Sequence, residues 1–251
     1  MKKTTFDLAV ELQNENKLEE AFNLFLKGAE QNESDCYLGV AEFYYFGDGI
    51  KQDYHKAFEW YLKAAEQNNH KAQYRIGELY LFGDGVKQDY NEAMKWYLKA
   101  AKQDNARAQF RIGELYHLGD GVKQDYHVAM EWYMKSAEQN YPMAQWRIGE
   151  LYDSGKGVAK NYQEAMMWYM KAAEQNHPES QYIVGCAFEI GHCVEKDNNK
   201  AFEWYMKAAK QNYAKAQWKI GELYYLGYGV NKDYQKALEW YEKADKNQRV
   251  Q

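Results

Sequence analysis

Reactive side chains are few in this 251-residue chain, and their spacing decides what chemistry they could support. Cysteine occurs at Cys36, Cys186 and Cys193, the last two seven apart across an expected helix end. Those two could meet as a disulfide under oxidising conditions, but an odd cysteine count fits free buried thiols in a reducing compartment better. The six histidines, His55, His70, His117, His127, His177 and His192, show no ligand spacing such as His-Glu-x-x-His, so no metal is expected. Asp48, Asp84 and Asp120 recur in Gly-Asp-Gly loops that lack the alternating oxygens of a calcium loop. These Gly-x-Gly turns follow helical patterns and not strands, which excludes a phosphate-binding loop. A carboxylate that recurs from unit to unit is also unlike an active site, which normally occurs once. The chemistry-bearing residues therefore imply no catalytic set, no metal and no cofactor.

The elements that would position these residues are helices. Acids number 37 and bases 32, interspersed to a net charge of -5, so no stretch resembles a nucleic-acid arm. The start carries Lys2 and Lys3 but meets Asp7 and Glu11 before an apolar run forms, which predicts neither a secretory signal nor a membrane span. A cytoplasmic location follows as the expectation. Only two prolines interrupt the chain.

One period dominates. Trp60, Trp96, Trp132, Trp168, Trp204 and Trp240 stand 36 residues apart, each followed by a tyrosine, Tyr61 through Tyr241. Such a period signals stacked supersecondary units. In residues 71–106, Ala72, Ile76, Leu79 and Tyr80 form one helical stripe beside Gly77. Gly83-Asp84-Gly85 then breaks the helix, because glycine reaches left-handed conformations cheaply. Asp89 is placed to cap a second helix, with Glu92 completing a capping box, and Ala93, Trp96, Tyr97, Ala100 and Ala101 form its expected core face. One hairpin cannot cover its own apolar faces, so each must stack on the next. Six units tile 35–70, 71–106, 107–142, 143–178, 179–214 and 215–250, after a shorter helical hairpin at 1–34. Glu242 and Asp245 occupy apolar positions of the last unit, as a terminal cap requires.

The stretch Ala-Gln-Tyr-Arg-Ile-Gly-Glu-Leu-Tyr-Leu-Phe-Gly-Asp-Gly-Val-Lys-Gln-Asp-Tyr-Asn-Glu-Ala-Met-Lys-Trp-Tyr-Leu-Lys-Ala-Ala at 72–101 resembles the Sel-one-like repeat family, a relative of the tetratricopeptide repeats. Residues 5–34 resemble a plain tetratricopeptide hairpin. The resemblance implies an all-α, right-handed superhelical solenoid with first helices inside and second helices outside. It also implies a non-catalytic adaptor that binds a protein or peptide on its concave face. An immunity or inhibitor protein acting on a toxin or effector is the alternative. Some family members with cysteines in many repeats have been linked to β-lactam binding, and that recurring pattern is missing here.

By matching Ile76-Gly77 to the family's Leu-Gly, the groove-facing positions fall at Lys71, Tyr74, Glu78 and Leu81. Followed through the units, one column is Leu38, Tyr74, Phe110, Trp146, Tyr182 and Trp218, and the next is Glu42, Glu78, Glu114, Glu150, Cys186 and Glu222. Leu81 and His117 belong to a third. The expected surface is an aromatic spine beside an acidic ladder, suited to a basic and apolar partner. Arg75, Arg111, Arg147 and Lys219 run alongside and could pair with the glutamates, leaving open a purely structural role for the ladder. Unit 179–214 departs at Ile183, Cys186 and Gly191-His192-Cys193, through drift or as a specificity pocket. No nucleic acid is expected as a partner, and a monomer is the expected state.

Overall fold

The computed structural model describes residues 3–248, which form fourteen α-helices and no strand. They fall into two compact units, Met1–Asp125 and Tyr126–Gln251. The first holds α1 (Thr5–Asn14), α2 (Leu18–Glu30), α3 (Ser34–Phe46), α4 (Tyr54–Glu66), α5 (His70–Phe82), α6 (Tyr90–Ala101) and α7 (Ala106–Leu118). The second holds α8 (Tyr126–Glu138), α9 (Pro142–Ser154), α10 (Tyr162–Glu174), α11 (Pro178–Ile190), α12 (Asn198–Lys210), α13 (Ala214–Leu226) and α14 (Tyr234–Gln248). Within each unit every helix packs on the next in chain order. The all-α stack of hairpins implied by the periodicity is the architecture found.

Local chemistry sets the helix ends. Gly83 stands at φ +80° as the C-cap of α5, and its N–H donates to the Leu79 carbonyl at 2.8 Å. Gly85, at φ +69°, lies so close to Tyr54 that a Cβ would come within 2.6 Å of that residue's carbonyl carbon. Asp89 accepts from the N–H groups of Asn91 and Glu92. Glu92 pairs with Lys95 and is not seen returning to the cap, so a full capping box is found instead at Thr4 and Asp7 of α1. Turns between hairpins place Asn32, Asn68, Asp104, Asn140, Asn176 and Asn212 at positive φ, where asparagine is the most tolerated residue with a side chain.

The core is organised around tyrosine and glycine. A Cβ on Gly77 would fall 2.4 Å from the Tyr97 ring, and Gly149, Gly185 and Gly221 stand in the same relation to Tyr169, Tyr205 and Tyr241. Tyr61, Tyr97, Tyr133 and Tyr205 are wholly buried. The preceding tryptophans, expected in the core, are half-buried instead. Their outer faces are covered by the lysine three residues on, from Lys63 over Trp60 at 3.9 Å to Lys243 over Trp240 at 4.3 Å. Adjacent positions on a helix point about 100° apart, so only one of the two rings can face the glycine.

A buried amide column seals each inter-hairpin turn. Gln73 donates to the Ala65 carbonyl at 3.3 Å and accepts from Gln103 at 2.9 Å. Gln181 repeats this with Ala173 and Gln211, and Gln217 with Ala209 and, at the end of α14, Asn247. Glu242 and Asp245 are exposed on α14, and Tyr241 is only half-buried, consistent with a last hairpin covered on one side.

His177 caps α11 in the place that Asn69 and Asn105 hold for α5 and α7, accepting from the Ser180 N–H at 3.2 Å. Burial, with Arg147 adding to it, pushes its pKa down from 6.5 to about 4.

Two outcomes follow from this packing. Tyr97→Ala should cost about 3–5 kcal/mol in chemical denaturation, as for other large buried aromatics, and Trp96→Ala no more than half as much. Equal losses would mean that the tryptophan, not the tyrosine, fills the core. For His177, the unfolded chain takes up a proton below pH 6.5 and the folded chain does not until about pH 4. Stability therefore falls as pH drops through that window, by roughly 2–4 kcal/mol. His177→Asn should keep the cap and flatten this part of the stability-against-pH curve.

Candidate partner-binding face

The first helices of the hairpins, α3, α5, α7, α9, α11 and α13, carry the aromatic and glutamate columns. Leu38, Tyr74, Phe110 and Trp146 are buried, Tyr182 is half-buried, and Trp218 alone of the six is exposed, at 51%. Each of three rings in the column packs on a tyrosine beneath it: Tyr74 lies 5.9 Å from the Tyr97 ring, Tyr182 5.7 Å from Tyr205 and Trp218 4.6 Å from Tyr241. The column is mainly a second layer of packing over the core, and the open aromatic surface contracts to Tyr182 and Trp218.

The glutamates are engaged within the protein. Glu78, 9% exposed, accepts from the Tyr97 hydroxyl at 2.6 Å and from Arg111 Nε and Nη2 at 3.0 and 3.2 Å. Arg111 also donates to Glu114 at 2.7 Å, and Arg75 reaches back to Glu42 at 3.4 Å. Burial alone would lower the Arg111 pKa, but the charge and hydrogen bonds of Glu78 outweigh it and hold the guanidinium protonated. In the second unit Arg147 donates to Glu150 at 2.8 Å, and Lys219 lies 3.0 Å from Glu222. In the first unit Arg75–Glu42 and Arg111–Glu78 thus tie one hairpin to the next, whereas the Glu114, Glu150 and Glu222 bridges lie within one helix.

Cys186 leaves no gap in it. Glu189, one helical turn on, accepts from the Tyr205 hydroxyl and lies 3.4 Å from Lys219, while the same hydroxyl is 3.2 Å from Cys186 Sγ. The carboxylate of this hairpin has moved one turn along α11, into the column of Leu81 and His117, both half-buried.

What the face does offer was not singled out by sequence. The last residue of each first helix, immediately before the C-cap glycine, is a large exposed apolar side chain: Phe46, Phe82 and Leu118 in one unit, at 51, 56 and 58%, and Ile190 and Leu226 in the other. Ser154 interrupts the series. A cleft of about 240 Å³ between Phe82 and Leu118 is lined by Leu81, Tyr90, Leu115 and Asp120. The 36-residue recurrence of these apolar residues was the available signal, masked because a helix-end position is usually a turn neighbour.

The three cysteines are free, and burial with a hydrogen bond to Glu33 pushes the Cys36 thiol up to about 12, out of the reactive range. Among the described residues, no group of histidine, cysteine and carboxylate side chains is placed to hold a metal ion, and no helix is long and apolar enough to cross a membrane.

The Sel1 repeat family matches residues 13–33, 33–69, 70–105, 106–141, 142–177, 178–213 and 214–244, so the likeness extends into the N-terminal hairpin. A Sel1 repeat protein from Oxalobacter formigenes is 35% identical, with TM-score 0.91 over 96% of this chain and 99% of that one. The SLR-fold protective antigen c5321 of uropathogenic Escherichia coli is 33% identical, with TM-score 0.80 over 90% of this chain. The chain spans only 48% of that antigen. The immunity protein Pa5087 of Pseudomonas aeruginosa shares the fold at TM-score 0.56 and 21% identity, over 85% of this chain and 81% of that one. No curated protein matches the chain.

The buried hydroxyls give a paired test of the ladder. Tyr97 donates to the Glu78 carboxylate, whereas the Tyr61 hydroxyl is buried with no partner among the described residues. Tyr97→Phe should cost about 1.5–3 kcal/mol, the worth of a hydrogen bond to a charged group, and Tyr61→Phe should be neutral or stabilising. Denaturation midpoints that move alike would show that the Glu78 bond contributes nothing.

Proposed function

The chain belongs to the Sel1 repeat family, and from that premise we propose that it is a non-catalytic scaffold holding a protein or peptide partner on its first-helix face. Sel1 repeat proteins generally mediate protein–protein interaction. The observation that carries the reading for this chain is the exposed apolar residue repeated at the end of successive first helices, Phe46, Phe82 and Leu118 above all. Large apolar side chains exposed to water at a fixed repeat are costly, and contiguous patches of them mark interaction sites. Because Arg75, Arg111 and Lys219 already occupy the glutamates, the apolar column supplies the anchors and the ladder sets their spacing.

The free cysteines favour a reducing compartment, in keeping with a cytoplasmic scaffold. Inhibition of a toxin or effector is a narrower form of the same activity. The Pseudomonas immunity protein supports the shared fold and carries that narrower form no further.

Phe82→Ser with Leu118→Ser should abolish partner capture from the native lysate while the melting temperature stays within a few degrees, since both side chains are exposed. Identical capture by the wild type and the double variant would sink the assignment of this column. Turnover of a chromogenic β-lactam by the pure protein would sink the non-catalytic reading.

A further inference from the structure

A pocket of about 490 Å³ opens on the first-helix face of the second unit, between α11 and α13 and against the end of α14. Tyr182, Tyr213 and Trp218 form its aromatic walls, with Tyr182 and Tyr213 centroids 5.6 Å apart at 55°. Glu179 stands among them, half-buried and making no hydrogen bond or ion pair with any described residue. Burial raises its carboxyl pKa, as does the charge of Glu150, while Lys215 and Arg147 act the other way. Of the two lysines at the rim, Lys219 is committed to Glu189 and Glu222, and Lys215 is exposed.

The same protein shows what such a combination accepts. In the first unit, Arg111 fills a site made by the Glu78 carboxylate and the ring of Phe82, 5.8 Å from its guanidinium carbon. Arg75 likewise meets Glu42 together with Tyr45 and Phe46. Lysines lie over rings where they are themselves largely exposed, as Lys99 does on Trp96 at 3.6 Å and as Lys200 and Lys236 do on Phe188 and Tyr224 beside Asp197 and Asp233, whereas Arg75 and Arg111 are mostly buried in their sites. A planar guanidinium can stack flat on an aromatic face and still direct two parallel donors at a carboxylate in its own plane, a geometry that a compact ammonium group lacks.

We propose that the pocket is a socket for the guanidinium of an arginine presented by a partner, stacked on the Trp218 and tyrosine rings and donating to Glu179. An apolar group there would leave the half-buried carboxylate desolvated and unpaired. A guanidinium satisfies it and covers the exposed indole. The inference rests on the first-helix face being the partner-binding face, and it names the chemistry of one anchor on that face.

Titrating the full chain with acetyl-Gly-Arg-Gly-amide, followed by NMR of the tryptophan indoles and tyrosine rings, tests it without any partner. The arginine peptide should shift Trp218 and saturate, and its lysine and norleucine counterparts should bind more weakly. Glu179→Gln and Trp218→Ala should each weaken the arginine peptide roughly tenfold, the scale of a lost charged hydrogen bond or a ring contact. Unchanged circular dichroism confirms that these partly exposed positions leave the fold intact. No saturable shift, equal binding of the norleucine or lysine peptide, or full affinity in Glu179→Gln would each overturn the proposal. The Phe82→Ser, Leu118→Ser variant should bind the arginine peptide like the wild type. Arginine binding without partner capture would fail the scaffold reading alone, and capture without arginine binding would fail this one alone.

Discussion

The insertion of a second-helix tyrosine against a first-helix glycine is the constraint on which the rest of this structure depends. With a Cβ on Gly77 only 2.4 Å from the Tyr97 ring, no other residue lets the two helices stand this close without displacing the ring. The close approach then delivers the Tyr97 hydroxyl to Glu78, and Glu78 to Arg111 of the next hairpin. One steric fit thereby fixes both the spacing inside a hairpin and the polar joint between hairpins. Its repetition at Gly149, Gly185 and Gly221 is why the units can be nearly identical in sequence and still stack.

Two polar systems reinforce that packing at opposite ends of the helices. The Gln73, Gln181 and Gln217 amides satisfy carbonyls at the ends of the preceding second helices, where a buried unpaired carbonyl would be expensive. The glutamate ladder does the equivalent near the other end of α5, α7 and α13. Its tolerance of change is visible at α11, where Glu189 accepts from the Tyr205 hydroxyl alongside Cys186 and makes the ion pair with Lys219 that Cys186 cannot. What persists between repeats is a carboxylate within reach of the tyrosine hydroxyl and the next cation. The position that supplies it can move by one helical turn, because residues three apart share a face.

These internal commitments decide what is left for a partner. A glutamate held by a guanidinium and a phenol is poorly placed to attract a basic ligand, and an aromatic ring packed on a buried tyrosine offers only its edge. The surface that stays free lies at the helix ends, Phe46, Phe82 and Leu118, and in the Tyr182–Tyr213–Trp218 hollow. The apolar surface exposed at these helix ends is thus what packing leaves uncovered, with Arg75 and Arg111 lying over only part of the Phe46 and Phe82 rings.

The sequence by itself determined the all-α hairpin stack, because helix periodicity, glycine C-caps and asparagine turns are local and recur every 36 residues. It also showed that the last hairpin differs, with Glu242 and Asp245 at positions that are apolar elsewhere. Tertiary structure alone decided which ring of each Trp-Tyr pair is core, since the two point about 100° apart and the interhelical approach selects one. It decided likewise that Glu78 is a buried structural acceptor: its arginine lies 33 residues away, and no periodicity reveals whether a charged column faces solvent or the adjoining helix. Phe82 and Glu179 were equally hidden, because exposure of an apolar side chain and isolation of a charged one are properties of the assembled neighbours and not of the residue.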